Sequence, residues 1–349
     1  MKLRLLLLGM TFATSCSSTG LPDTGDGGGG SSSIADGSGA ASVKDGGSGA
    51  VVTAGPDGGP TGGGSADGGP TTGGGSTIGP TGGSVTFLHL GITGDTRPPS
   101  CTQLGQVTAS YPTAIINAIA DAFEQRGLDA VLDLGDHMYV CNHDLADAKS
   151  QMALYVAAMQ RFKGTWFMAM GNHECTSTPC LQGSSNPNYV AYIDALKPVS
   201  KLPYYRVDVQ TTKGLVAIVV VADNAWDATQ KAWLEATLSA TDTQAKYTLV
   251  ARHHPPTDTS VTTNAESAQI IQAHKYALFL TGHSHEYRHL TSHGGRELVL
   301  GTGGAPLLAT GSFHGYATID QQTNGDLKVS VYDIMGDVLV DSWSVGPNP

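Results

Sequence analysis

Between residues 17 and 84 the chain has no aromatic residue and a single lysine, yet 25 of its 46 glycines fall there. So little apolar surface cannot offset the entropy of ordering a backbone, which excludes this stretch from any packed core. Also missing is a hydrophobic run long enough to span a bilayer: the apolar stretch Leu3 to Ala13 is too short. No run of lysine and arginine stands out either, and residues 85–349 carry 16 basic against 24 acidic side chains, a balance of −8. That argues against an extended nucleic-acid tract and against a polybasic membrane patch, so an anionic substrate must be held by something more local than net charge. Paired CxxC spacing is absent as well, which argues against a four-cysteine zinc site.

What is present divides the chain into three parts. Lys2 and Arg4 at the start of the apolar stretch, and the small residues after it, have the layout of a secretory signal peptide over residues 1–16. Ala13-Thr14-Ser15-Cys16 resembles a bacterial lipobox without the usual leucine at its first position, so the expectation is an envelope lipoprotein anchored at Cys16, with plain secretion as the alternative. Residues 17–84 read as a tether in which Asp57-Gly-Gly-Pro-Thr-Gly-Gly-Gly-Ser-Ala recurs imperfectly from Asp67. Its end-to-end distance is on the order of 45 Å for a flexible glycine-rich coil. Residues 85–349, 265 in number, are enough for one α/β domain and hold all 12 histidines. Beyond Cys16 four cysteines remain, which in an oxidising compartment allow three connectivities. The favoured one joins Cys175 to Cys180 across a short loop and Cys101 to Cys141.

The domain alternates apolar runs with helical spacing and then finishes in short strands. Val85 to Leu90 leads into Gly94-Asp95, Ala130 to Leu134 into Gly135-Asp136, and Trp166 to Met170 into Gly171-Asn172, with helical patterns over Pro112–Gln125 and Asp144–Phe162 between them. Further strands are expected at 215–222, 247–251, 276–280, 298–300, 316–320, 327–332 and 338–343, with helices near 230–238 and 265–273. Asp95, Asp136, Asn172, His253, His283 and His285 each sit at or just beyond the end of an apolar run, and carboxyl ends of strands are where α/β sites assemble. Hard oxygen donors and imidazoles are the ligand set for divalent or trivalent cations. Alone, each aspartate is better explained by a helix cap or a solvated carboxylate than by a metal.

In combination the blocks say more. Gly94-Asp95, Gly135-Asp136-His137-Met138-Tyr139, Gly171-Asn172-His173-Glu174, Val250-Ala251-Arg252-His253 and Gly282-His283-Ser284-His285 occur in one order, each after a strand. The series resembles the calcineurin-like metallophosphoesterase superfamily over about Val85 to His289. The resemblance implies an α/β fold, a four-layer α-β-β-α sandwich of two mixed sheets flanked by helices. It also implies two metal ions about 3.5–4 Å apart whose bridging hydroxide attacks phosphorus. Asp95, Asp136, Tyr139 and His285 would hold the first ion, and Asp136, Asn172, His253 and His283 the second. His173 would meet substrate near the leaving group as proton donor or transition-state contact, with Asp136 the catalytic bridge, and Glu174 would fix His173 or a loop. Where the usual first block has a histidine, this chain has Arg97; the purple acid phosphatases also lack that histidine and supply a tyrosine, as Tyr139 would. Phenolate favours Fe(III) at the first position, with Zn, Fe or Mn at the second. His254 and Arg97 are candidate substrate contacts. His137, His289 and His293 could line the pocket, although a surface or structural place is the commoner fate of each. The expected activity is acid-phosphatase-like hydrolysis of small phosphate monoesters, with a phosphodiesterase or nucleotide hydrolase as the alternative and a non-catalytic envelope module as the reading from another class. Pro98–Ser110 and Thr176–Tyr189 would choose the substrate.

Overall fold

In the computed structural model the described residues are 78–101, 110–140, 144–175, 180, 183–258, 262–308 and 310–349. All belong to one contact unit, Gly69–Pro349. The expected signal peptide, most of the tether and Cys141 lie outside the described residues.

Fourteen strands form among them: β1 (Ile78–Gly79), β2 (Gly82–Ser84), β3 (His89–Thr93), β4 (Ala130–Asp133), β5 (Thr165–Met168), β6 (Tyr205–Thr211), β7 (Gly214–Val220), β8 (Tyr247–Ala251), β9 (Leu278–Thr281), β10 (Tyr287–Leu290), β11 (Glu297–Leu300), β12 (Gly315–Gln321), β13 (Leu327–Asp333) and β14 (Val338–Val345). They build two mixed sheets. One runs β14-β13-β12-β3-β4-β5 and the other β1-β2-β6-β7-β8-β9-β11-β10. In the first, β3, β4 and β5 are parallel neighbours; in the second, β7, β8, β9 and β11 are. Parallel neighbours place their carboxyl ends side by side, which is why distant blocks of sequence can meet at one edge.

Helices supply the crossovers and the outer layers. α1 (Thr113–Gln125) turns Ile116, Ile119, Ala120 and Phe123 inward. In α2 (Leu145–Met159) the Asp144 side chain caps the start, accepting from the backbone N–H of Ala146 at 2.8 Å and Asp147 at 3.1 Å. For α3 (Pro187–Leu196), Asn186 is the cap and proline the first residue. α4 (Ala228–Gln244) and α5 (Thr262–Gln272) cover the second sheet. The alternation of β7 shows both faces at work: Val216, Ile218 and Val220 enter the main core, whereas Val219 packs with Leu234, Leu238 and Ile271 of the two helices. The result is the four-layer α-β-β-α sandwich.

Several boundaries differ from the sequence reading. β3 starts at His89 rather than Val85, and α4 runs to Gln244. β6, α3 and β10 were not anticipated. β1 and β2 lie before residue 85, in what was read as tether; Ile78 is buried and β2 pairs parallel to β6, so a single apolar residue and free edge amides draw this glycine-rich stretch onto the sheet. Cys175 and Cys180 are disulfide-bonded, as expected. The expected companion pairing, Cys101 with Cys141, falls on a residue outside the described ones.

Candidate metal centre

Among the described residues, four of the six non-glycine residues with positive φ are Asp95 (59°), Asp136 (61°), His283 (70°) and His285 (47°). Left-handed backbone is costly for such residues and clusters at functional sites, where the surroundings enforce it. Here it turns four donor side chains off the strand ends toward one another. Two glycines make room for them. A Cβ on Gly171 would lie 2.2 Å from Asp136 Oδ1, and one on Gly282 2.5 Å from Asp95 Oδ2.

The donors fall into two adjoining groups. In the first, His285 Nε2 lies 3.3 Å from Asp95 Oδ1, and Asp95, Asp136 and His285, all buried, can bring ligating atoms within 4.8 Å of one another. In the second, Asn172 Oδ1 is 3.1 Å from His253 Nε2 and 3.0 Å from His283 Nδ1. Asp136 joins the two, with Oδ1 3.4 Å from His253 Nε2. The outer nitrogens are tied down: His253 Nδ1 donates to the Leu134 carbonyl at 2.8 Å and His285 Nδ1 to that of Pro306 at 2.8 Å. Nε2 is therefore the nitrogen each ring turns into the site, able to bind a cation once it carries no proton. Burial opposes charge on His253, but the Asp136 carboxylate outweighs it and lifts the imidazole to about 10, while Asp136 itself is held well below the usual carboxylate range. Burial and the neighbouring rings of His253 and His254 push His283 down to about 4.

Beneath the donors lies a buried polar frame. Glu174 accepts from the backbone N–H groups of Asp136 (3.0 Å), His137 (2.7 Å) and Gly171 (2.7 Å), clamping two donor-bearing turns together. It fixes loops, as one of the two expected roles had it. His137 sits fully buried with Nε2 3.0 Å from Asp133 and Nδ1 3.4 Å from Glu174. Burial alone would lower its pKa, but the two carboxylates raise it to about 10. It does not line a pocket; nor does His289, stacked on Trp343 at 3.7 Å, nor His293, paired with Glu297 at 2.8 Å.

The remaining sequence candidates stand around the rim. The backbone N–H of His173 donates to Asp136 Oδ1 at 2.9 Å, its Nε2 is 3.7 Å from Asp136 Oδ2, and burial lowers its pKa. Its ring meets Tyr139 edge-on at 4.3 Å. Tyr139 is anchored through its backbone to Gln151, and the Arg97 guanidinium lies 4.8 Å over its ring. Arg97 Nε is 3.5 Å from Asp136 Oδ2. His254 Nδ1 is 3.1 Å from Asp223 Oδ2, which also accepts its backbone N–H at 3.2 Å. Burial would raise Asp223, yet His254 and then Arg252 hold it down at about 2.

Two residues of this centre carried no role in the sequence reading. Asp223 follows β7 as the other acids follow their strands, and that placement is a usable signal. Asp258 has no such signal: its Oδ2 lies 3.6 Å from His283 Nε2 and 4.0 Å from His254 Nε2, a meeting made only by the tertiary fold. The expected substrate loops fall largely on residues 102–109, 176–179 and 181–182, outside the described residues.

A two-sheet sandwich with carboxylate, amide and imidazole donors gathered at its strand ends defines a metal-binding α/β protein. The calcineurin-like phosphoesterase family model matches residues 88–287, and the chain belongs to that family. Solved structures share the fold at low identity. One is a purple acid phosphatase from yellow lupin seeds, at 15% identity and TM-score 0.52, covering 74% of this chain and 53% of that one. GAP50, the anchor in the inner membrane complex of Plasmodium, gives 14% and 0.53, covering 76% and 90%. A dimetal phosphatase from Danio rerio gives 14% and 0.50, covering 74% and 98%. The chain thus spans about half the length of the lupin protein. No curated protein sequence matches it significantly.

The family uses a dinuclear metal centre, and the residues present fit one. Asp95 Oδ1 is buried without a hydrogen-bond donor, an arrangement a cation satisfies and a packed core does not. Among the described residues a second group able to hold an ion is His254, Asp258 and His283.

Proposed function

We propose that this protein is an exported bacterial phosphatase, either lipid-anchored through Cys16 at the cell envelope or secreted, that hydrolyses small phosphate monoesters at a two-metal centre of purple acid phosphatase type. The observation that carries the reading is the convergence of Asp95, Asp136, Asn172, His253, His283 and His285 on one edge of the sandwich, bent there by left-handed backbone at four of the six. Asp95, Asp136, Tyr139 and His285 would hold one cation, and Asp136, Asn172, His253 and His283 the other. When bound, such a pair supplies Lewis-acid activation of water and neutralises charge on the phosphoryl group. Tyrosine among the first set favours Fe(III) there, with Zn, Fe or Mn in the second.

The chain's own groups do the rest. His173, held by its backbone N–H on Asp136, carries the proton that leaves with the alkoxide at Nε2. Asp223 fixes His254 through Nδ1, and Nε2, 4.0 Å from Asp258 Oδ2, is the nitrogen that would meet substrate. Arg97 lies close enough to the donors to pair with a phosphoryl oxygen. Cations a few ångströms from the substrate outweigh a diffuse surface charge screened over a Debye length of about 8–10 Å, so a net-acidic domain can bind an anion.

A parallel assay of a nitrophenyl phosphate monoester and its bis-ester tests the reading. Preference for the monoester is the expected result. Preference for the diester would replace it with a phosphodiesterase, and two bound metals with no hydrolysis across a broad ester panel would replace it with a binding module.

A further inference from the structure

The site departs from its family's usual first block at one residue, Arg97, and the structure places that residue's charge among the first-position donors. Its Nη2 lies 3.3 Å from His285 Nε2, its Nε 3.5 Å from Asp136 Oδ2, and its Nη1 donates to the Pro98 carbonyl at 3.1 Å. Tyr139 supplies an aromatic face beneath it, and the side chain is only 12% exposed.

His285 decides what this means. A carbonyl only accepts, so the contact with Pro306 places the proton on Nδ1 and leaves one lone pair, on Nε2. That lone pair can receive an N–H from Arg97 or bind a cation, but not both. A guanidinium cannot surrender its charge by deprotonation in a protein, so an incoming cation meets a fixed like charge at Asp136 and a competitor at His285. In the second set only the shared Asp136 has that guanidinium beside it: among the described residues no lysine or arginine hydrogen-bonds or ion-pairs with the side chains of Asn172, His253 or His283.

We propose that Arg97 competes with the first cation for His285 and Asp136, so that a divalent ion binds the first position more weakly than the second. The inference rests on the dimetal reading and deepens it. A divalent ion reaches the first position only as the guanidinium leaves, whereas the second position fills without that step. A displaced Arg97, freed beside the centre, is then available to an anionic substrate.

Zinc titration of chelator-stripped full-length protein, followed by calorimetry and native mass spectrometry, tests this without reference to activity. The wild type should bind two Zn²⁺ in steps separated by at least tenfold. Arg97→Gln and Arg97→His should tighten the weaker step by at least tenfold and change the tighter step, which shares Asp136, by much less, while Arg97→Lys, which keeps the charge, should tighten the weaker step less than either. Thermal melting of each variant checks that it is folded. Two zinc ions bound with equal affinity by the wild type, unchanged in Arg97→Gln, would overturn the competition while leaving the dimetal reading intact. No zinc uptake by either protein would overturn the dimetal reading itself.

Discussion

Replacing Glu174 by glutamine probes whether the donors are held in place by a buried carboxylate rather than by strand geometry alone. Oε2 of Glu174 serves the N–H groups of Asp136 and Gly171, and Oε1 serves that of His137 while facing the His137 ring. An amide has one acceptor oxygen. In the milder of its two orientations glutamine keeps the Asp136 and Gly171 bonds and turns an NH₂ toward the His137 N–H, donor against donor. That orientation loses one charge-assisted hydrogen bond, about 1.5–3 kcal/mol, and demotes two others to neutral ones. The His137 ring also loses one of its two carboxylates in a buried site, where removing a partner is costly. About 3 kcal/mol is a fair total, and at about 2–4 °C per kcal/mol for a domain of roughly this size the midpoint should fall by about 6–12 °C. Circular dichroism melts at one scan rate, with Asp121→Asn as the control, would read it. Asp121 and Arg161 form an exposed pair, so that control should move by less than about 1 kcal/mol. A Glu174→Gln midpoint within 2 °C of wild type would refute the clamp.

Three further outcomes follow from the same geometry. If Tyr139 ligates Fe(III), the loaded protein has a visible charge-transfer band that Tyr139→Phe abolishes; a colourless and fully active protein would contradict that ligand. Because Asp136 faces both donor groups, Asp136→Ala should lose both ions by elemental analysis, and retention of a full pair would count against its bridging place. Asp258 faces the Nε2 of His283 while Nδ1 faces Asn172 and His253. A carboxylate on the far nitrogen orients a ligating imidazole and raises its basicity, so Asp258→Asn should weaken the tighter metal step about 10–100-fold, and an unchanged affinity would remove Asp258 from that role.

Much of this centre was legible because its information is local. Each donor block follows an apolar run, all but the His253 block through a glycine, and glycine at 171 and 282 is what lets a carboxylate approach the backbone that closely. Five such blocks in one order also placed the strands of two sheets. What escaped was of two kinds. β6 and α3 carry local signals that are short and bear no donor, the inward Val207 and Val209 beside outward Asp208 and Gln210, and the Asn186-Pro187 start. β10, Asp258 and the placing of Arg97 are not local at all. The Tyr287–Leu290 segment is half-buried along its length and becomes a strand only because β11 offers it a register. Arg97 could be named as a departure from the sequence, but its contact with His285, 188 residues away, exists only in the folded chain.

The central claim is that scattered strand ends build a cage for two cations. Anomalous diffraction from crystals grown at saturating metal tests it most directly. One peak should lie among Asp95, Asp136 and His285 and a second among Asp136, Asn172, His253 and His283. Peaks elsewhere, or none in a structure with these side chains ordered, would contradict it.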